Sequence, residues 1–196
     1  MPIDHNRKLI FIHIPKNAGT AIERHCNMKD TGHKNWKYYF SKYLSEWEEY
    51  TSFAIIRDPV DRFISSYRYA RMKKSYWHDN PQPNKAIYGE HPDYQICNKF
   101  DINSLCSKLN SNAVKLSHPG WLPQYKWICN WRRKVKIDVL IKYENLNKGL
   151  ETLKIHDLPK LNFSKGSEDL EITEENKSFL RSFYKKDYKL LESIKN

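Results

Sequence analysis

The chain alternates short, continuous apolar runs with longer segments in which apolar residues recur at three- and four-residue steps. The clearest runs are residues 8–14 (KLIFIHI), 52–56 (SFAII) and 137–141 (IDVLI). Half-exposed strands alternate apolar and polar positions, whereas unbroken β-branched runs favour strands buried on both faces, as in a parallel sheet. We therefore predict three buried strands at these positions.

Helical periodicity follows each predicted strand. The first helix is predicted to open at Thr20, and another to begin at Pro59, since proline is favoured in a first helical turn. Further amphipathic helices are predicted over residues 36–47, from about residue 145 to 155, and after Thr173. Strands that alternate with helices predict an α/β fold with a mainly parallel sheet flanked by helices.

The length of 196 residues suits one folded domain, and we predict a single domain over residues 1–196. Within it, residues 74–92 consist of polar residues, prolines and a glycine without helical or strand periodicity. This is long for a loop in a compact domain. The segment is therefore either a mobile lid or a surface insertion.

The cysteines and the N-terminal region bear on the cellular compartment. The four cysteines lack the spacing of a zinc site or of a disulfide framework, which favours reduced, structural thiols. The apolar run at residues 9–14 is too short for a signal sequence or a membrane span. We therefore expect a cytoplasmic protein with no membrane span.

The charge balance is strongly basic. Lys and Arg number 34 against 23 Asp and Glu, a formal net charge of +11. A surface or cleft with this excess attracts anions, so nucleotide phosphates, acidic glycans, nucleic acid and anionic membranes are all admissible partners. The choice among them depends on the motifs that carry chemistry.

A phosphate-binding loop is predicted between the first strand and the first helix, in the sequence IPKNAGT (residues 14–20). Backbone N–H groups at such a turn, together with the helix dipole, form a site for an anion. Ala18 and Gly19 let the main chain approach a ligand closely. Lys16 adds a positive charge, and the hydroxyl of Thr20 can donate to a phosphoryl or sulfuryl oxygen. The spacing differs from that of a Walker A loop.

A second anion site is predicted in FAIIRDPVDRFISSY (residues 53–67), again a strand that runs into a helix. Arg57 lies at the end of the strand, and Ser65 about two turns into the helix. Both side chains can reach one phosphate beside the carboxyl edge of the sheet, where α/β proteins bind ligands.

Together, IPKNAGT and RDPVDRFISSY resemble the two nucleotide-binding motifs of sulfotransferases that use 3′-phosphoadenosine-5′-phosphosulfate (PAPS), in particular the carbohydrate O-sulfotransferase (sulfotransferase family 2-like) branch. Weaker resemblance extends to HPGWLPQY (residues 118–125) and VLIKYENL (residues 139–146). The resemblance implies a P-loop-NTPase-like core. It implies a 3′-phosphate site at Arg57 and Ser65. The residues that it implies for the 5′-phosphosulfate are Lys16, Asn17, Ala18, Gly19, Thr20 and Ala21.

The resemblance also implies the reaction: the sulfuryl group of PAPS moves to an acceptor hydroxyl by in-line displacement, and 3′-phosphoadenosine-5′-phosphate (PAP) is released. Such a transfer needs a base for the acceptor proton, cations for the charge on the leaving phosphate oxygen, and exclusion of water. Lys16 suits the second need and is a predicted catalytic residue. The chemistry requires no metal, and the sequence has no obvious Asp/Glu cluster for Mg²⁺, so no metal is expected.

His33 is the predicted general base, because relatives in this branch carry a histidine between the first helix and the second motif. A loop histidine with an ordinary pKa of about 6.5 can accept a proton at neutral pH. His118 is the rival candidate, or else it meets the acceptor together with Trp121 and Gln124. Glu23 is a further candidate, by analogy with relatives that use a glutamate.

Two other functions share some of these features. A nucleotide-dependent phosphoryl transferase also needs a phosphate loop and arginines, but the Walker lysine spacing is absent. A nucleic-acid-binding module would suit a pI of about 9.4 with 6 Trp and 13 Tyr, yet many of these aromatics fall on helix faces that need a core. We therefore expect a hydroxyl acceptor, on a glycan in preference to a tyrosyl peptide or a small alcohol, and no nucleic-acid partner.

Overall fold

The computed structural model describes residues 2–29, 32–73, 90–158 and 170–194. Most of the segment predicted as a lid or insertion, residues 74–89, lies outside these ranges. The chain divides into two compact units, and the single domain stays a prediction. The first unit consists of Met1–Asp58, Leu122–Phe163 and Lys185–Asn196, and the second of Pro59–Trp121 and Ser164–Tyr184.

The first unit contains a four-stranded sheet in the order β1-β2-β3-β4. The strands are β1 (Ile3–Asp4), β2 (Leu9–Phe11), β3 (Thr51–Ile56) and β4 (Val139–Lys142). β1 pairs antiparallel with β2, whereas the pairs β2–β3 and β3–β4 are parallel. The prediction of a mainly parallel sheet is confirmed. The antiparallel strand β1 was not predicted, because its two residues are too few to show a strand pattern in the sequence.

Helices surround this sheet or form the second unit. In the described residues, and in chain order, the α-helices are α1 (Gly19–His25), α2 (Trp36–Lys42), α3 (Leu44–Glu49), α4 (Pro59–Ala70), α5 (Tyr94–Lys99), α6 (Ile102–Asn110), α7 (Tyr125–Ile128), α8 (Leu146–Glu151), α9 (Glu174–Phe183) and α10 (Lys185–Ser193). Short 3₁₀ turns occur at Pro119–Trp121 and Tyr143–Asn145.

The two faces of the sheet each carry an apolar core of the first unit. On one face, Ile10, Ala54 and Ile56 pack in a cluster with aromatic residues such as Trp36 and Tyr39 of α2. On the other face, the alternate residues of the same strands pack in a cluster with α1 and α8. Both faces are therefore dry, which explains why the strand sequences are continuously apolar.

The helix predicted over residues 36–47 is two helices, α2 and α3, separated at Tyr43 (φ −135°, ψ 56°). The apolar spacing continues across the break because Tyr39, Tyr43 and Trp47 all pack on the same core. The stretch after Thr173 likewise forms two helices. Here α9 belongs to the second unit and α10 to the first.

The second unit is helical in its described residues. Helix α9 packs against α4 and α6, and α4 packs against α5. Pro59 begins α4, as the sequence predicts. The side chain of Arg62 is buried in this unit and donates from Nη2 to the carbonyl oxygen of Gly120 at 2.6 Å.

All four cysteines are unpaired. Burial raises the pKa of Cys97 and of Cys106 to about 12, and that of Cys129 to about 11. Burial likewise raises the pKa of the Cys26 thiol. A thiol rather than a thiolate at neutral pH is a poor nucleophile, which agrees with a structural role.

Candidate active site

The predicted phosphate loop connects β2 to α1. Lys16 (φ 69°) and Ala18 (φ 61°) both lie in the left-handed region, which non-glycine residues rarely adopt. Such conformations concentrate at ligand sites, where the surrounding structure holds them in place. The side chain of Thr20 is exposed at the start of α1 and is available to a ligand.

A buried histidine–glutamate pair packs against this loop. The Nδ1 atom of His13 lies 2.9 Å from Oε1 of Glu23, and both side chains are buried. A Cβ atom on Gly19 would overlap the His13 ring, so only glycine fits at that position. Glu23, a candidate base in the sequence, is thus engaged with His13 in the interior.

Two cationic side chains meet where β3 ends. Arg57 follows the last residue of β3, and its Nη1 donates to the carbonyl oxygen of Lys16 at 3.3 Å. Burial, and then the charge of Arg57, lower the pKa of Lys16 to about 8. The guanidinium carbon of Arg57 also lies 4.5 Å from the ring centroid of Tyr143. A bound anion would offset the repulsion between Lys16 and Arg57.

Asn17 and Gln124 brace this edge from inside the first unit. Both side chains are fully buried. Asn17 donates from Nδ2 to the Ile55 carbonyl oxygen at 2.6 Å and to Oε1 of Gln124 at 2.7 Å. The carboxamide of Gln124 also pairs with the backbone of Arg57. Nδ2 of Asn17 and the carboxamide of Gln124 thus have partners within the first unit, whereas Oδ1 of Asn17 is buried with no hydrogen-bond partner in the described residues. The roles of Asn17 at the donor and of Gln124 at the acceptor stay predictions.

His33 lies beside the histidine–glutamate pair. Its Nδ1 is 3.2 Å from the carbonyl oxygen of His13, and the two rings are in edge contact with centroids 4.5 Å apart. A carbonyl oxygen can only accept a hydrogen bond, so Nδ1 of His33 carries the proton when the ring is neutral. The lone pair is then on Nε2. The orientation of the ring was absent from the sequence, and the His13 main chain supplies it.

A groove of about 570 Å³ opens beside His33 within the first unit. Among the residues that the structure describes, no acidic side chain lines it. Trp131 at its rim is 79% exposed. The lining combines aromatic residues, lysines and polar or apolar side chains: His33, Lys34, Asn35, Trp36, Lys37, Tyr38, Leu122, Tyr125, Lys126, Trp127, Cys129, Asn130 and Trp131.

This groove was not predicted from the sequence. Its one sequence signal is the stretch at residues 127–134 (WICNWRRK), in which aromatic and basic side chains are interleaved. Trp127 is almost fully buried, and its indole nitrogen has no hydrogen-bond partner in the described residues. The groove therefore offers flat apolar faces and positive charge, whereas the Trp127 nitrogen is buried beneath its surface.

The remaining predicted site residues belong to the second unit. Ser65 is half-buried on α4. Trp121 is buried and donates from its indole nitrogen to Asp93 at 2.7 Å, and the backbone of His118 also donates to Asp93. His118 Nδ1 accepts from the backbone N–H of Gly120 at 3.0 Å. These contacts anchor the turn, and the roles of Ser65, His118 and Trp121 stay predictions.

Two further observations concern the described ranges. No group of three or more His, Cys, Asp or Glu side chains there is arranged to hold a metal ion. None of the helices described has both the length and the apolar character needed to cross a membrane.

A model described as the sulfotransferase family matches residues 1–192. The chain belongs to the sulfotransferase family. This confirms the resemblance carried by the two motifs, and the carbohydrate branch is consistent with it. No curated protein and no solved structure matches this sulfotransferase at a significant level. Membership makes the chain a transferase whose general activity is sulfuryl transfer.

Proposed function

We propose that this sulfotransferase takes the sulfuryl group from PAPS and transfers it, by in-line displacement, to a hydroxyl of a carbohydrate. The observation that carries the proposal is that Arg57 contacts Lys16 where β3 ends, while His33 packs against His13, which follows β2. The His13 ring in turn packs against the loop at Gly19. Two cations and a base near the ends of these strands meet the needs of sulfuryl transfer.

For the donor, we assign the 5′-phosphosulfate to the loop from Lys16 to Ala21 in a P-loop-like core. The Lys16 ammonium, the Thr20 hydroxyl and the loop N–H groups are the proposed contacts. Arg57 is the proposed partner of the 3′-phosphate, since arginine matches the planar geometry of phosphate oxygens. Its Nε is buried and has no hydrogen-bond partner in the described residues, so an anion oxygen would satisfy it. The role of Ser65, which belongs to the second unit, stays a prediction from the sequence.

For the chemical step, Nε2 of His33 takes the proton of the acceptor hydroxyl while the acceptor oxygen forms a bond to sulfur. The bond between sulfur and the bridging oxygen of the 5′-phosphate breaks, and PAP leaves. Lys16 stabilises the negative charge that develops on the bridging oxygen. The resulting imidazolium keeps its Nδ1–H bond to the His13 carbonyl oxygen.

For the acceptor, we assign the groove that begins at His33. Aromatic faces such as that of the exposed Trp131 suit the apolar faces of sugar rings, and polar groups at the rim fix orientation. Lys34, Lys37 and Lys126 would pair with carboxylates or sulfates, and no acidic side chain in the described part of the lining opposes them. The proposed acceptor is therefore a sugar that already carries acidic groups.

The test of donor and acceptor is a transfer assay with radiolabelled PAPS and four acceptors: an acidic oligosaccharide, its neutral counterpart, a tyrosyl peptide and a phenol. We expect transfer to the acidic oligosaccharide with the highest kcat/KM. In parallel, thermal unfolding is followed with PAP, ATP or a short oligonucleotide, and PAP is expected to stabilise most by mass action. Transfer to the peptide or phenol alone would contradict the carbohydrate assignment, and stabilisation by ATP but not PAP would contradict the donor.

The test of the base is the pH dependence of kcat at saturating PAPS. His33→Ala is expected to lower kcat by about a hundredfold or more, the scale for losing a positioned base. The wild-type rate falls at acid pH because the imidazole is protonated, and this acid limb is expected to vanish in His33→Ala. It is expected to persist in His118→Ala. An acid limb that survives in His33→Ala but disappears in His118→Ala or Glu23→Gln reassigns the base.

A further inference from the structure

At one edge of β3, side-chain amides make the backbone hydrogen bonds that a neighbouring strand would otherwise make. Strand β2 ends at Phe11, and the next residue, Ile12, still donates from its backbone N–H to the Phe53 carbonyl oxygen at 2.8 Å. Beyond this point no strand accompanies that side of β3 in the described residues. Two residues further along β3, the Ile55 carbonyl oxygen accepts instead from Nδ2 of Asn17 at 2.6 Å.

Gln124 occupies the following position along this edge. Its Nε2 donates to the Arg57 carbonyl oxygen at 2.8 Å, and its Oε1 accepts from the Arg57 backbone N–H at 3.0 Å. This is the double hydrogen bond that a neighbouring strand would make. The same Oε1 accepts from Nδ2 of Asn17 at 2.7 Å. One carboxamide therefore holds both the phosphate loop and Arg57, the residue that follows β3.

The position of Gln124 is in turn determined by Asp187 on α10. The Gln124 backbone N–H donates to Oδ2 of Asp187 at 2.7 Å, and the Tyr125 backbone N–H donates to Oδ1 at 2.9 Å. Asp187 and Gln124 are both fully buried, so water cannot replace either partner. A chain of hydrogen bonds therefore runs from α10 through Gln124 to both proposed anion sites.

We propose that Gln124, held by Asp187, is a positioning residue that determines the separation between the phosphate loop and Arg57, and thereby the selectivity for a nucleotide with phosphates at both its 5′ and 3′ positions. The proposal rests on the proposed function, in which these two sites bind the two ends of PAP. A second contact on one ligand adds affinity only when the two sites are held at the matching distance. Without Gln124, the Arg57 main chain loses both of its hydrogen bonds on this side.

The test compares the dissociation constants of PAP and of adenosine 5′-phosphate, which lacks the 3′-phosphate. Gln124→Met keeps an unbranched side chain and removes the amide. The ratio of interest is the constant for adenosine 5′-phosphate divided by the constant for PAP. We expect this ratio to fall at least about tenfold, because the contact with the 3′-phosphate is lost. The constant for adenosine 5′-phosphate should change by less than about threefold, because Asn17 still bonds to Ile55 and keeps the loop in place.

Asp187→Asn is the second variant, because it retains one carbonyl oxygen for a backbone N–H. It should lower the same ratio by a smaller factor. It also serves as the test if Gln124→Met fails to fold. The control is Asn176→Leu, which removes a buried amide that bonds to Asn103 in the second unit. This control should lower the unfolding midpoint without changing the ratio, since a ratio does not depend on the fraction of folded protein.

The outcomes are distinct. If the wild-type protein binds PAP and adenosine 5′-phosphate equally, the proposed function fails and this proposal with it. If the wild-type protein prefers PAP and both Gln124→Met and Asp187→Asn retain that preference, only the positioning role is overturned.

Discussion

Lys16 is the residue whose surroundings bear most directly on chemistry. It adopts a left-handed backbone conformation, is partly withdrawn from water and lies near a second cation, Arg57. Burial and that charge both disfavour the ammonium form, which is why the pKa of Lys16 falls to about 8. A phosphate reverses this balance, because the ammonium form then has a partner. Binding of the proposed donor would therefore be linked to protonation of Lys16.

We predict that PAP affinity falls as the pH rises from about 8 to about 10, by up to about tenfold per pH unit, because binding above the pKa requires uptake of a proton. Lys16→Arg should abolish this slope, since arginine stays charged throughout. Calorimetry at pH about 8.5 in two buffers of different ionisation enthalpy counts the protons taken up. Equal proton uptake by wild-type protein and Lys16→Arg would exclude Lys16 as the linked group.

The pH dependence of unfolding without ligand provides an independent check of the lowered pKa of Lys16. The unfolded chain keeps the Lys16 proton up to its ordinary pKa of 10.5, whereas the folded protein releases it near 8. Between these values the unfolded state binds more protons, so the contribution of Lys16 to stability rises with pH. The rise should be smaller in Lys16→Arg when urea unfolding is measured across this window.

At the scale of elements, the loop between β2 and α1 is held by neighbours on both sides. The His13 ring packs against it at Gly19, and the amides of Asn17 and Gln124 tie it to β3. The α1 helix has seven residues, and its N-cap, Ala18, makes no side-chain capping bond. Tertiary contacts therefore contribute more to the shape of this loop than helix propensity does.

We predict that Gly19→Ala lowers the free energy of unfolding by about 1–3 kcal/mol, because the new Cβ must displace the buried ring of His13. PAP affinity should fall with it, since the loop moves. Ala18→Gly is the matched control at the adjacent position. The left-handed conformation suits glycine, so this variant should leave stability within about 1 kcal/mol of the wild type. Urea unfolding and PAP titration check both, and an unchanged Gly19→Ala protein contradicts the packing argument.

At the scale of the whole molecule, the dominant property is the net charge of +11. Summed over the surface, such an excess attracts polyanions before any specific contact forms. The lysines of the groove make this attraction local to the proposed acceptor site. Salt screens it, with a Debye length of about 10 Å at 0.1 M ionic strength.

We predict that the acceptor KM for an acidic oligosaccharide rises several-fold between about 50 and 300 mM salt, as screening weakens the attraction to the groove. The neutral counterpart provides the control, and its KM should be nearly constant. The assay is run at saturating PAPS at every salt concentration, so that donor binding does not contribute. A parallel rise for both acceptors would contradict an electrostatic role of the groove.

Much of the fold was determined by local sequence pattern. The three parallel strands, the start of α4 at Pro59 and the mainly parallel sheet follow from apolar periodicity and turn chemistry, which operate over a few residues. The third of these strands, β4, is less buried than predicted, with Ile141 as its one buried residue. The two segments predicted to bind anions each run from a strand into a helix, as the sequence indicated, and their binding roles stay predictions. The break at Tyr43 was not readable, because the apolar spacing continues across it toward one core.

The contacts that hold the candidate site in place depend on tertiary structure alone. Gln124 is 67 residues from Arg57 and 107 from Asn17, and His33 is 20 from the carbonyl oxygen that orients it. Periodicity carries no information about partners at such separations, because they meet only when helices pack on the sheet. The sequence by itself determined which charged and basic side chains the chain carries near the ends of its strands. Packing decided which of the polar side chains there, such as Asn17 and Gln124, are buried as braces, because burial depends on contacts between residues far apart in sequence.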